Sequence, residues 1–389
     1  MPILPLFAPN NIDEYFYGRT VEINMINSYF NSDNKGFQPL IIKGNRGIGK
    51  TFLIKKILNF HKDNYLTIYF DISRIANNEE FFSEELIVKN LFSLIREELA
   101  EKFKDSINFS EIKKLLQMVQ LDDEYNIREV CEILDIPLQS DFSDTQNLSN
   151  FVLEFPQKFL NKFTNDINGF IIAIDEFHLI NDLDNPKEFL SMISKINKSQ
   201  DDVYYIFSSY NLNIFNFFKD NNVSSKPINI NLQAFTVDET NTYFKEVIPE
   251  INFTDDGFKK FYNYTKGIPA CINSFANLLS SHQTYDDKLI SKTFKLKTNQ
   301  VLVDWLDLWA NLNKVEKNIV VVIIENEGLN KDLLINDLEF SRSTIIKYLN
   351  ALEEKMLIES TVNNNYIISD EMFKSLLLFK KETLGYILI

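Results

Sequence analysis

Eight consecutive residues, Gly44-Asn45-Arg46-Gly47-Ile48-Gly49-Lys50-Thr51, fit the pattern G-x-x-x-x-G-K-[ST]. Each residue type in it suits the holding of phosphate. Three glycines let the backbone turn its N–H groups inward around an anion. A helix opening near Lys50 points its positive end at the same anion. Lys50 can reach the β- and γ-phosphates, and Thr51 can offer its hydroxyl to Mg²⁺. Asn45, Arg46, Gly47, Ile48, Gly49 and Phe52 complete the stretch expected along the nucleotide. Arg46 either contacts phosphate or a neighbouring subunit or, on the plainer reading, stays in solvent.

A second constellation is Ile174-Asp175-Glu176-Phe177-His178, at the end of an apolar run. Four apolar residues followed by Asp make a Walker B pattern. Asp175, at the carboxyl end of a strand, is placed to hold Mg²⁺. Glu176 is placed to orient or deprotonate the attacking water, which needs a carboxylate within about 3 Å of it. Ser208, Ser209 and Asn211 follow the next strand. They either touch the γ-phosphate or the water, or are ordinary loop residues. His178 reads as a partly buried structural histidine.

The elements that must position these groups are visible in the apolar spacing. Pro39–Lys43 before the glycine loop reads as a buried strand, and Phe52–Leu58 after it has helical periodicity. Tyr65–Asp71, Gly169–Asp175, Val203–Phe207 and, more weakly, Pro227–Leu232 read as further strands. Strands alternating with helices imply a parallel α/β sheet. A helical stretch capped by Asn78 or Ser83 runs through Leu99, with further helical segments up to about residue 150. After about residue 235 the strand signals stop. Thr236 and Glu239 form a capping box, and three short helices follow near 238–247, 255–264 and 269–280. A Lys- and Asn-rich stretch at 285–300 reads as a boundary. Beyond it, helices at Val315–Glu325, Lys331–Leu338 and Ser341–Leu352 and a hairpin over 356–368 make a winged helix-turn-helix. Trp305 and Trp309, four apart on a helix, read as packing between these last two parts.

Composition excludes several classes. The 389 residues carry a net charge of −15, 45% hydrophobic and 24% charged residues. That balance is a poor footprint for nonspecific binding to nucleic acid or anionic membrane. The two cysteines, Cys131 and Cys271, make no framework and no metal spacing, and read as buried thiols of a reducing compartment. No apolar run approaches the ~18 residues of a membrane span. A cytoplasmic protein is expected.

Together the glycine loop, the Asp-Glu-Phe strand end and the terminal winged helix resemble the archaeal-type ATPase family, which is AAA+-like and STAND-like. Phe16-Tyr17-Gly18-Arg19-Thr20-Val21-Glu22 is similar to that family's Phe-x-Gly-Arg-x-x-Glu, which places Gly18 and Arg19 at the adenine-side entry. Gly267-Ile268-Pro269 is similar to the Gly-x-Pro of its lid, which places Pro269 against the nucleotide. The resemblance implies a sheet order 5-1-4-3-2, a helical lid, and ATP/ADP with Mg²⁺ as ligands. It divides the chain into an ATPase core at 1–234 with a helical insertion at about 78–165, a lid at 235–300 and a winged helix at 301–389. ATP is expected between core and lid.

One departure bears on rate. The arginines are Arg19, Arg46, Arg74, Arg96, Arg128 and Arg342, and none falls between 129 and 341, where AAA+ relatives carry an arginine finger. Only Lys226 stands near the corresponding place. An arginine finger is worth roughly 10³–10⁵ in rate, and lysine lacks its planar fork. A slow ATPase used as a conformational switch is therefore expected, with the winged helix engaging a partner. Arg342, opening that helix after Ser341, and Lys347 could contact DNA. Residues 302–389, however, hold nine Lys/Arg against fourteen Asp/Glu. Two readings stay open: a switch that binds protein, with nucleotide-dependent homo-oligomerisation, and an initiator-like or defence-related ATPase that binds duplex DNA.

Overall fold

The computed structural model describes residues 4–5, 8–9, 12–30, 38–76, 82–104, 109–118, 124–137, 145–163, 167–209, 227–281, 283–301, 309–326, 328–355, 357–361, 365–369, 373–374, 377–378 and 380–381. Asn78, Asn211, Lys226 and Trp305 lie outside them. The chain divides into two compact units. One holds Asn10–Gly44 and Lys50–Asn231; the other holds Met1–Pro9, Asn45–Gly49 and Leu232–Ile389.

The first unit is built on a five-stranded parallel sheet. Its strands are β1 (Leu40–Lys43), β2 (Leu66–Asp71), β3 (Phe170–Asp175), β4 (Val203–Ser209) and β5 (Ile228–Asn231). Their spatial order is β2-β3-β4-β1-β5, which read from the other edge is the 5-1-4-3-2 order the resemblance implied. All pairings are parallel. The run Phe170-Ile171-Ile172-Ala173-Ile174 is apolar throughout because β3 is buried along its whole length. A parallel strand covered on both faces can afford no polar alternation.

Eight helices of this unit are described: α1 (Thr20–Phe30), α2 (Lys50–His61), α3 (Ser73–Ala76), α4 (Glu84–Lys102), α5 (Phe109–Met118), α6 (Glu124–Leu134), α7 (Thr145–Phe163) and α8 (Pro186–Asn197). Ser83 caps α4 by accepting from the Leu86 N–H, as its side-chain chemistry favours. Phe92 of α4 and Phe151, Phe155 and Phe159 of α7 bury a run of rings that joins these helices to the sheet's core. Cys131 on α6 is buried and pushed up to about 12 by that burial, with Glu154 adding to it. It is therefore a packing thiol.

The second unit is helical at first. It contains α9 (Val237–Val247), α10 (Asp255–Thr265), α11 (Pro269–Ala276) and α12 (Asp287–Val301). The Thr236–Glu239 capping box is formed at α9. The Lys- and Asn-rich stretch at 285–300 holds helix α12. Its lysines stay on the outside, while Ile290 and Phe294 are buried and Phe294 stacks on Tyr264 at 4.1 Å. Two strands of two residues each, β6 (Asn252–Phe253) and β7 (Thr284–Tyr285), pair in parallel. Pieces that short leave no periodic trace in sequence. Three more helices follow: α13 (Lys314–Glu325), α14 (Lys331–Asp337) and α15 (Arg342–Glu354). With them go strands β8 (Leu329–Asn330), β9 (Ile358–Ser360) and β10 (Asn365–Ile368), ordered β8-β10-β9. Trp309 is buried, its ring 6.0 Å from that of Phe373, with the Lys317 ammonium over its face. Among the described residues no helix is long and apolar enough to cross a membrane.

Candidate nucleotide site

Cross-strand register brings the polar groups to one place. Asp71 at the end of β2 lies opposite Asp175 at the end of β3, and Tyr69 opposite Ala173. On the next strands Ala173 faces Ile206, and Ser208 faces Ile42. The polar residues of this sheet thus collect at the strands' carboxyl ends, where ligands bind in open parallel sheets. Helix α2, which begins at Lys50, adds its first turn to them.

Asp175 is 1% exposed, yet every one of its hydrogen bonds comes from a neutral donor. Thr51 Oγ1 donates to Oδ2 at 2.6 Å and the Tyr69 hydroxyl to the same oxygen at 2.9 Å. Oδ1 accepts from the Ser208 hydroxyl and, at 3.0 Å, from the Glu176 N–H. No ammonium or guanidinium forms an ion pair with it among the described residues. The carboxylate is held in place by neutral donors, with the Lys55 ammonium acting on it only through space.

Lys50 is 6% exposed and donates from Nζ to the Gly44 carbonyl at 2.9 Å. The loop glycines take the left-handed values that let N–H groups converge. Gly47 has φ +74° and Gly49 φ +99°, and a Cβ built on Gly49 would meet nothing within 4 Å. That open space is what a group seated on the loop requires. Within the second unit the Ala270 N–H donates to the Gly47 carbonyl at 3.1 Å. Pro269 stands at the first turn of α11, where a missing N–H costs nothing. Asn45 and Arg46 are exposed, Ile48 is buried, and Phe52 lies half-buried in α2.

Glu176 is half-buried and takes φ +54°, the left-handed region uncommon for a residue with a Cβ. The 3₁₀ turn Phe177–Asp182 that follows returns His178, whose Nδ1 lies 3.3 Å from Glu176 Oε2. The His178 ring is pushed down to about 4, by burial first and then by Lys50, with Asp175 opposing both. At neutral pH the ring is uncharged, so this is a contact between a carboxylate and a neutral imidazole. Gly18 and Arg19 both have positive φ at the entry to α1, and Arg19 Nη1 lies 3.4 Å from Glu22 Oε1.

Lys50, Thr51, Asp175, Glu176 and Ser208 are thus in one neighbourhood of the first unit. Ser208 is held against Asp175. Ser209 is buried beside it in sequence. Tyr69 escaped the sequence reading, since an aromatic residue on a strand normally signals packing; its polar tip and odd-numbered phase with Asp71 were the available signal. Among the described residues no three His, Cys, Asp or Glu side chains cluster as a metal cage. A hydroxyl and a carboxylate suit a hard cation such as Mg²⁺, which takes few protein ligands and keeps its waters.

Residues 15–197 match the model of the AAA ATPase domain, a span that includes both the glycine loop and Asp175. No curated protein sequence matches. Among solved structures, a Walker-type ATPase of Pyrococcus abyssi is similar over 96% of this chain and 99% of its own, with 16% identity and a TM-score of 0.65. The ORC2 protein of Aeropyrum pernix, solved in ADPNP–ADP complexes, is 11% identical over 95% of this chain and 94% of its own, with a TM-score of 0.54. The ORC1 protein of Aeropyrum pernix, solved in complex with DNA, is 9% identical over 98% and 96%, with a TM-score of 0.51. At such identities the likeness is one of fold. Residues 15–197 therefore match an AAA ATPase domain, and over nearly its whole length the chain shares the fold of these Walker-type and ORC structures.

Proposed function

We propose that the protein is a slow Mg²⁺-dependent ATPase that works as a nucleotide-driven switch, its C-terminal segment engaging a protein partner. The observation that carries the reading is the 2.6 Å bond between the Thr51 hydroxyl and a buried Asp175 that forms no ion pair among the described residues. Thr51 and Asp175 would hold Mg²⁺, and Lys50 would leave the Gly44 carbonyl for the β- and γ-phosphates. Bound Mg²⁺ supplies Lewis-acid stabilisation of charge on the phosphates. Glu176 accepts the proton of the attacking water, or orients it. Gly18, Arg19 and Pro269 are proposed as contacts to the rest of the nucleotide. Slow turnover is supported by the lack of any arginine between residues 129 and 341.

The switch reading treats 235–300 as a lid and 301–389 as a winged helix. Support for the latter is the three-helix, three-strand arrangement of α13–α15 with β8-β10-β9. A protein partner is favoured over DNA by charge. Nine Lys/Arg face fourteen Asp/Glu over residues 302–389, and Arg342, which opens α15, lies 3.7 Å from Asp332. Phosphate binding draws on free cations. The rival reading, a DNA-bound ATPase, has the DNA complex of the ORC1 neighbour behind it.

The test is ATP turnover with Mg²⁺ for wild type and Glu176→Gln, each with and without duplex DNA. Turnover below about 1 s⁻¹, indifferent to DNA and lowered roughly 10²–10⁴-fold in the variant, is expected. DNA-stimulated turnover would move the reading to the DNA-dependent class. A variant as active as wild type would remove Glu176 from its role.

A further inference from the structure

Strand β2 alternates buried and half-buried positions, and Tyr69 falls on the half-buried face with Thr67 and Asp71. Opposite it on β3 stands Ala173, the smallest side chain of that strand. A lone methyl there leaves room for the phenol to lie along β3. The diagonal neighbour two residues on, Asp175, then comes within reach of a long aromatic side chain. The hydroxyl ends 2.9 Å from Asp175 Oδ2, the same oxygen that takes the Thr51 hydroxyl. One turn after Thr51 on α2, the Lys55 ammonium lies 5.2 Å from the centre of the Tyr69 ring.

From this arrangement we infer that Tyr69 is a positioning residue of the metal site, fixing the rotation of the Asp175 carboxylate so that its free lone pairs face the cation. The assignment rests on the reading of Asp175 as the Mg²⁺ carboxylate. Ser208 and the Glu176 N–H hold the other oxygen, so the carboxylate is gripped at both ends. Thr51 is itself wanted by the cation and cannot serve as an independent anchor. Tyr69 can, because its hydroxyl has no place in the cation's shell. Partners of this outer kind tune metal sites through the ligand they orient.

The experiment is equilibrium ATP binding titrated with Mg²⁺, for wild type and Tyr69→Phe, with the affinity for metal-free ADP and the melting temperature measured alongside. Tyr69→Phe keeps the ring and its packing. The half-saturating Mg²⁺ concentration should rise about tenfold while metal-free ADP affinity and melting temperature hold. Superimposed Mg²⁺ curves overturn the assignment. So does an affinity loss of equal size with and without Mg²⁺, which would mean that the phenol only packs. A wild type that binds no nucleotide at any Mg²⁺ concentration defeats the ATPase reading itself, and the Tyr69 role with it.

Discussion

Two buried carboxylates, one in each unit, make opposite use of the same chemistry. Asp175 is 1% exposed and Glu316 2% exposed, and both are fully hydrogen-bonded, as burial demands. Glu316 sits in the first turn of α13. Its Oε2 accepts the Asn313 N–H at 2.9 Å in a capping box, and its Oε1 takes the Lys355 ammonium at 2.6 Å. Its charge is spent on joining the start of α13 to the end of α15. Asp175 is bound by three hydroxyls and one N–H, all neutral. Burying a charge without an ion-pair partner is expensive, and protein sites that tolerate it are candidates for function. Hydrogen bonding alone does not separate a structural carboxylate from a metal-binding one. The charge of its partners does.

The largest expected effect on the structural side comes from Lys355→Met. It strands Glu316, and should cost about 2–3 kcal/mol of stability, below the 3–5 of a fully buried pair because the lysine is partly exposed. Chemical denaturation measures this, and ATP affinity should not change. A neutral result would mean that Glu316 is held by its cap alone. Next comes Ser208→Ala, which removes one neutral donor from Asp175. The affinity for ATP in the presence of Mg²⁺ should fall about tenfold, or 1.4 kcal/mol, with little loss of stability; the reverse pattern would make Ser208 a packing residue.

The smallest effect is on pH dependence, through His61. Burial holds its ring below the ordinary value of 6.5, so the folded state binds fewer protons than the unfolded. Its contribution is intact above pH 6.5 and is lost as pH falls below it, by no more than about 1.4 kcal/mol per pH unit. Melting temperatures of wild type and His61→Gln at pH 7.5 and 5.5 should converge on acidification. Curves that stay parallel would show that His61 does not titrate differently in the two states.

The contrast between the two carboxylates also marks what could be read from sequence. Lys50, Thr51, Asp175 and Glu176 can be proposed as site residues from sequence because each lies inside a contiguous motif whose flanks are a strand and a helix. The order of the sheet came with the family resemblance, and the strands themselves with their apolar runs. Tyr69 and Ser208 were harder. Their proposed role depends on register with Asp175, which lies 106 residues from Tyr69 and 33 from Ser208, and local spacing does not encode it. The Glu316–Lys355 pair hid for the same reason. Helix α12 leaves little trace in sequence because four lysines mask the buried Ile290 and Phe294. Strand β8 is two residues long and pairs only once β10 is in place.

The central claim is that Asp175 keeps its charge for a cation. Its most direct test is isothermal titration of ATP, with and without Mg²⁺, into wild type and Asp175→Asn. The account predicts that Mg²⁺ strengthens binding to wild type and that the variant loses this gain, by at least the roughly 100-fold that outer-shell changes can cost at metal sites, while its melting temperature stays within a few degrees. An Asp175→Asn protein that keeps the full Mg²⁺ gain, or one that unfolds as readily as Lys355→Met, would contradict it and place Asp175 with Glu316 among the structural carboxylates.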